Sequence, residues 1–264
     1  MIKLLTPISH LFNERIQANN IINNTDYLEA RERTCDLFFP KTTHYHIDFD
    51  LNIGISEKQI QFLKDHVKPR EEIQNITFQA ARDCENIQIK EGIYYPSSEV
   101  IPLKKQINNT KESLKKIIDI LGKDRKIGIE NNNYYPSGAY DICTSLEYLH
   151  EIINLKDCHL LFDLAHALVT CANRNISFEN YSKTLLKTNK CFQMHICQPS
   201  YLLDKGLISA RDAHEIPSFE LTEISVSLCI KYGIKLITVE YYRNAEKLIS
   251  YLKYIKSFIK NASK

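Results

Sequence analysis

This sequence lacks the marks of a membrane span, a disulfide scaffold and a nucleic-acid-binding surface. No apolar stretch approaches the ~18 residues that a transmembrane helix needs. The opening MIKLLTPISHLF is too short and too interrupted for a secretory signal. Its eight cysteines include no Cys-x-x-Cys pair, which removes zinc ribbons and thioredoxin-like motifs. Several of them lie in apolar runs, where a reduced cysteine behaves as a small hydrophobe. A chain of 264 residues can bury well over half of its unfolded surface and needs no covalent staple. Charge of one sign is missing too, since Lys+Arg 34 against Asp+Glu 32 leaves a net charge of +2. Affinity built on neutralising phosphates normally shows a basic excess, so nucleic acid is a disfavoured partner. There is no linker, low-complexity tract or charge block, so residues 1–264 are expected to form one domain. The expected location is the cytoplasm, without membrane attachment.

What is present is alternation. Short apolar or alternating runs recur at 2–5, 26–31, 44–49, 76–81, 126–131, 158–164, 191–197 and 235–241. Between most of them lie segments with apolar residues at helical spacing, among them 56–68, 110–122, 145–153 and 244–259. Gly122 and Gly233 stand where helix C-caps belong. Strand–helix alternation along the whole length implies a parallel sheet, and eight strands in one domain favour closure. The expected fold is a single (β/α)8 TIM barrel. A short echo, Ile93-Tyr94-Tyr95-Pro96-Ser97 and Asn133-Tyr134-Tyr135-Pro136-Ser137, follows the fourth and fifth strands. The first copy reads as a proline turn covered by tyrosines. The second follows a candidate ligand and could line a substrate channel.

The informative residues sit where the strands end. The fifth strand ends in Glu130-Asn131 and the sixth in Asp163, with His166 three residues on; the seventh holds His195 and the eighth Glu240. Asp212-Ala213-His214 falls between the last two. Carboxyl ends of barrel strands form one face, so these side chains would converge. Carboxylates and imidazoles bind zinc, iron or manganese. Singly, each has a plainer explanation: an Asp at a strand end caps the next helix, and His10, His66 and His150 read as ordinary surface or packing residues. Asp163 within LLFDLAHAL and Glu240 after LITV are harder to dismiss, because a carboxylate in an apolar run demands a compensating charge.

The ordered set Glu…Asp-x-x-His…His…Asp-x-His…Glu resembles the ligand set of the abasic-site endonuclease and xylose-isomerase-like barrel superfamily. GIENNNYYPSGAYD, LLFDLAHALVTCANRN, MHICQPS, DAHEIPS and TVEYYR are similar to the multinuclear non-haem iron-dependent oxidative enzymes. That family includes the iron oxidase of methanobactin biosynthesis and modifies cysteines of ribosomally made peptides. The resemblance covers roughly residues 26–245.

What the resemblance implies is specific. Glu130 would bridge two metals, with Asp163, His195 and Glu240 completing one and His166, Asp212 and His214 holding its neighbour. A further metal would take a histidine from the third strand, His46 or else His44. It would take another from the fourth strand, where this chain has Gln79. A Gln carbonyl is a weaker donor than imidazole, so two iron ions would be tightly held and a third weakly, with zinc or manganese as alternatives. Gln79, Asn131 and Tyr135 are candidates for weak ligation or substrate contact. Should the fourth strand be misaligned, Asp83 or His44 would have to supply the missing ligand. The implied activity is an O2-using oxidase acting on a peptide, at cysteine, with a partner protein delivering the peptide. The rival readings are a metal-dependent phosphodiesterase, disfavoured by the near-neutral charge, and a mononuclear sugar isomerase or epimerase, disfavoured by Asp-x-His. A non-catalytic binding barrel has only Gln79 in its favour.

Overall fold

The computed structural model describes residues 1–204 and 207–262. Strands in chain order are β1 (Lys3–Pro7), β2 (Tyr27–Arg31), β3 (Thr42–Asp50), β4 (Asn75–Gln79), β5 (Ile87–Lys90) and β6 (Ile93–Pro96). They continue as β7 (Lys126–Glu130), β8 (His159–Asp163), β9 (Cys191–Ile196), β10 (Gln198–Asp204), β11 (Leu207–Glu215) and β12 (Leu236–Val239). Eight of them close a barrel in the order β1-β12-β9-β8-β7-β4-β3-β2, with parallel pairing throughout. Each barrel strand lies on one of the eight runs read from the sequence. Parallel neighbours need a crossover between them; α-helices supply it while burying their apolar stripes against the barrel, except between β2 and β3, where only a 3-10 turn at Glu32–Thr34 intervenes.

Those helices are α1 (Arg15–Asn24), α2 (Glu57–Phe62), α3 (Leu103–Leu121), α4 (Leu146–Ile153), α5 (Leu164–Arg174), α6 (Phe178–Leu186), α7 (Phe219–Tyr232) and α8 (Ala245–Ala262). Serines start four of them: the hydroxyls of Ser56, Ser145, Ser177 and Ser218 accept amide hydrogens of the first turn. Gly122 and Gly233 do end α3 and α7, at φ of 89° and 70°. Two helices depart from expectation. α3 begins earlier, at Leu103, because Pro102 fixes an extended N-cap and the polar KKQINN stretch can still turn its neutral face inward. α2 ends at Phe62 and widens into a π turn over Leu63–Val67. Among the described residues no helix is long and apolar enough to cross a membrane.

The sequence reading missed two antiparallel hairpins at the barrel mouth, β5–β6 and β10–β11. The first corrects the expected proline turn at Ile93-Tyr94-Tyr95-Pro96, which is a strand. Its signal was Glu91-Gly92, whose φ values of 50° and 78° make the tight two-residue turn that suits a hairpin's twist. The second hairpin carries Asp212 and His214 on β11. It is fixed to α5 through Asn173, whose amide oxygen accepts from Ala210 N at 2.7 Å and whose amide nitrogen donates to Ala210 O at 3.0 Å.

Candidate metal centre

Strand parity sends alternate side chains into the barrel, and here the upper interior is polar. Glu29 and Arg31 enter from β2, His46 from β3, Thr77 and Gln79 from β4, and Glu130 from β7. Asp163 enters from β8, Gln193 and His195 from β9, and Glu240 from just past β12. Their mutual contacts place them in one cluster. Above them opens a cavity of about 660 Å³, bordered by Tyr94, Tyr135, Tyr140 and Tyr242.

His195, His166 and His46 each have one ring nitrogen anchored and the other turned toward carboxylates of the cluster. His195 Nε2 lies 3.0 Å from Glu29 Oε2, while Nδ1 faces Glu130 Oε1 at 3.1 Å, Glu240 Oε1 at 3.3 Å and Asp163 Oδ2 at 4.0 Å. His166 donates from Nδ1 to the Asn131 carbonyl at 2.9 Å and turns Nε2 to Asp212 Oδ2 at 3.4 Å. His46 bonds Thr77 Oγ1 through Nδ1 at 2.8 Å, with Nε2 3.6 Å from Glu130 Oε2 and 3.7 Å from Asp48 Oδ1. His214 sits between Asp212 Oδ2 at 3.3 Å and Glu240 Oε2 at 3.5 Å. Its φ of 47° is a left-handed conformation that non-glycine residues adopt at a cost.

Asp163 shows how two readings of one residue coexist. Its Oδ1 accepts the His166 amide at 2.7 Å and caps α5. Its Oδ2 is buried without a hydrogen-bond partner, and so is His195 Nδ1. Buried polar atoms in folded proteins are nearly always paired. Two orphaned lone-pair donors, 4.0 Å apart and beside Glu130 and Glu240, fit a shared cation. Ligand atoms of Glu130, Asp163 and His166 lie within 4.8 Å of one another, as do those of Glu29, His195 and Glu240.

The electrostatics agree with that geometry. Burial, opposed by His166 and reinforced by Glu130, Glu240 and Asp212, raises the Asp163 carboxyl to about 7. Burial would push His195 and His166 down, but the surrounding carboxylates outweigh it and raise both well above the usual imidazole range. Burial dominates at His46 and lowers it, which favours the neutral imidazole that ligates metals. Arg31 adds a permanent positive charge to the cluster. Its guanidinium pairs with Glu29 at 2.7 Å and with Glu240.

The structure sorts the remaining candidates. Gln79 lines the cavity with its amide nitrogen 3.2 Å from His46 Nε2. Tyr135 also lines the cavity, and its hydroxyl accepts from Asp212 N at 3.3 Å. Asn131 does not reach the cavity: its amide braces both the N–H and the carbonyl of Asp163 at 2.9 Å, tying β7 to β8. His44 lies deeper, held by Thr43 and Asn75. Asp83 is used up by the amides of Ile142 and Cys143 at 2.7 Å. His66 packs on Phe62, and His150 is exposed beside Asn154.

Sequence reasoning overlooked Glu29, Arg31, Asp48 and Cys197. Glu29 had a legible signal, a carboxylate between Leu28 and Ala30 on a strand. Bonding the far nitrogen of a ligand histidine to a carboxylate orients the ring and raises its basicity. Asp48 reaches Gln79 at 3.3 Å and adds an acidic oxygen beside His46.

Residues 98–218 match the family model described as the RiPP precursor modification enzyme MbnB/TglH/ChrH. The chain resembles this family of peptide-modifying enzymes. The match spans Glu130, Asp163, His166, His195, Asp212 and His214, and leaves His46, Gln79 and Glu240 outside it. No protein of curated function matches the chain. Among solved structures, a D-tagatose 3-epimerase-like protein superposes with a TM-score of 0.64 at 14% identity, covering 100% of both chains. Endonuclease IV from Thermus thermophilus gives 0.59 at 8% identity, over 98% of this chain and 99% of that one. A xylose isomerase-like TIM barrel protein from Mycobacterium smegmatis, in complex with magnesium, gives 0.59 at 11% identity, over 98% and 97%. At these identities the likeness is one of fold: this chain shares the TIM-barrel fold of these proteins.

Proposed function

We propose that this protein is a multinuclear iron-dependent oxidase that uses O2 to modify a ribosomally made peptide at cysteine. The observation that carries a metal centre is the pair of orphaned atoms, Asp163 Oδ2 and His195 Nδ1, set among buried carboxylates. The match of residues 98–218 to a family of peptide-modifying enzymes supports the substrate class. Glu130 has one oxygen toward His195 and the other toward His46, an arrangement that suits a bridging carboxylate. Asp163, His195 and Glu240 would share one ion with it. His166, Asp212 and His214 would hold a second, and His46, Asp48 and Gln79 a looser third.

Iron held by such a set supplies redox chemistry and Lewis acidity together, whereas zinc would supply only the latter. The protein's own groups do the rest. Tyr94 stacks on Tyr140 at 5.7 Å and Tyr135 meets Tyr140 edge-on at 5.4 Å, forming an aromatic wall that can orient a peptide and exclude water. Tyr242 donates to Glu240 Oε1 at 3.2 Å and fixes that carboxylate. We place the protein in the cytoplasm, with the peptide brought by a partner protein.

Elemental analysis of protein purified without chelators tests this reading. Iron should predominate, and Glu130→Ala and Asp163→Ala should each lower the metal of the whole cluster, while His150→Ala leaves it intact. Stoichiometric zinc without iron would exclude the oxidase, and full occupancy in both cluster variants would exclude the site.

A further inference from the structure

Cys197 continues the inward face of β9. Gln193 and His195 point into the barrel, and Cys197 has the same parity, one step nearer the mouth. Its side chain is fully buried, and its Sγ lies 3.2 Å from Asp212 Oδ1. Other buried thiols are spent differently. Cys84 and Cys158 turn to backbone carbonyls, Cys143 to the Tyr140 carbonyl and to Asp83, whose oxygens already accept two backbone amides, and Cys229 lies against the Met194 sulfur. Cys197 instead meets a carboxylate whose other oxygen is 3.4 Å from His166 and 3.3 Å from His214. Ligand atoms of Cys197, Asp212 and His214 all lie within 4.8 Å of one another. Closing on an ion with bonds of roughly 2.0–2.3 Å requires only a small contraction of that triangle.

We propose that Cys197 is a thiolate ligand of the metal held by Asp212 and His214, so that this position carries a sulfur donor from the protein itself. The inference rests on the metal-centre reading. On binding, the S–H bond breaks, the sulfur pair forms the bond to the metal, and the proton leaves to solvent through the open mouth, as metal binding to thiols generally requires. A resident thiolate has two consequences. It biases this position toward soft-tolerant metals such as iron(II) and zinc, against magnesium or calcium. It also directs a substrate thiol to the opposite side of the cluster, where His46 and Glu130 face the cavity.

Metal-stripped full-length protein loaded with Co2+ alone provides the test, because thiolate ligation gives a near-ultraviolet sulfur-to-cobalt charge-transfer band that carboxylates and imidazoles do not. The band should appear in the wild type, vanish in Cys197→Ser and Cys197→Ala, and persist in Cys35→Ser. That last variant controls for the separate surface group of Cys35, Asp36 and His66. Cobalt retention at this position should fall about tenfold or more in both Cys197 variants. Cobalt retained by the wild type without the band would overturn the proposal, leaving Cys197 as a neutral S–H donor to Asp212. A band that survives both Cys197 substitutions, or follows Cys35, overturns it equally. Failure of the wild type to retain cobalt would instead sink the metal centre as a whole.

Discussion

Gln79 stands where the resemblance calls for a fourth-strand histidine, and the fold gives it a definite position. Gln79 Nε2 sits 3.2 Å from His46 Nε2 and 3.3 Å from Asp48 Oδ1, and Asn132 donates to its oxygen at 3.5 Å. The side chain thus reaches the place a fourth-strand ligand would occupy, but offers only a neutral carbonyl oxygen. Losing a strong donor or its supporting partner commonly costs about 10–100-fold in metal affinity. Purified protein should therefore hold nearer two ions than three. Gln79→His should raise retention of the third ion under dialysis against a mild chelator by a factor in that range. Equal retention in both proteins would show that Asp48 already completes the position. That the fourth strand offers no histidine was legible in the sequence. The neighbouring Asp48 was not, since only the folded strand sets it beside His46.

At the scale of elements, the β10–β11 hairpin matters most, because it brings Asp212 and His214 to a cluster otherwise built on the barrel. It rests on α5 through Asn173, which bonds both backbone groups of Ala210 and also donates to Tyr134 O at 2.8 Å. Removing that amide leaves buried backbone groups unpaired, a loss of about 1–3 kcal/mol for each such group. Asn173→Ala should loosen the hairpin locally. Metal at the Asp212/His214 position should be lost to chelator first, and amide exchange on β11 should quicken before exchange on the barrel strands. If both metal positions weaken in step, the hairpin and barrel behave as one unit and the element-level account fails. The hairpin escaped sequence reading because a two-stranded ribbon carries no core periodicity. Its partners, Asn173 and Ala210, lie far apart along the chain.

For the whole molecule, the buried charges couple stability to pH and, on the proposed metal centre, to metal as well. Burial raises the Asp163 carboxyl from 3.8 to about 7 in the fold, so the folded state keeps a proton that the unfolded chain releases. A raised folded value gives stability that is complete below the unfolded value and lost as pH climbs through the folded one. The raised values of His166 and His195 act in the same sense, from their ordinary 6.5 upward. Glu130 and Glu240, both lowered from 4.5, act oppositely: their contribution is present above that value and disappears as acid titrates them. Chelator-treated protein should accordingly lose thermal stability as pH rises from about 6 to about 9. Metal-loaded protein should lose less, because bound cations replace the protons. Parallel Tm–pH curves for the two forms would contradict this.

The barrel was readable from the chain because strand parity and helical periodicity are local. All eight barrel strands were legible as short apolar or alternating runs, and the glycines that end α3 and α7 as caps. The carboxylates and histidines at those strand ends were legible because a polar residue in an apolar run has to be answered by something. What answers it depends on neighbours distant in sequence. Glu29 behind His195, Arg31 across to Glu240, Asn131 bracing Asp163, and Cys197 against Asp212 are pairings that only closure of the barrel creates. The division follows from range: propensity and period act over a few residues, whereas ligand geometry is set by contacts between strands from opposite ends of the chain.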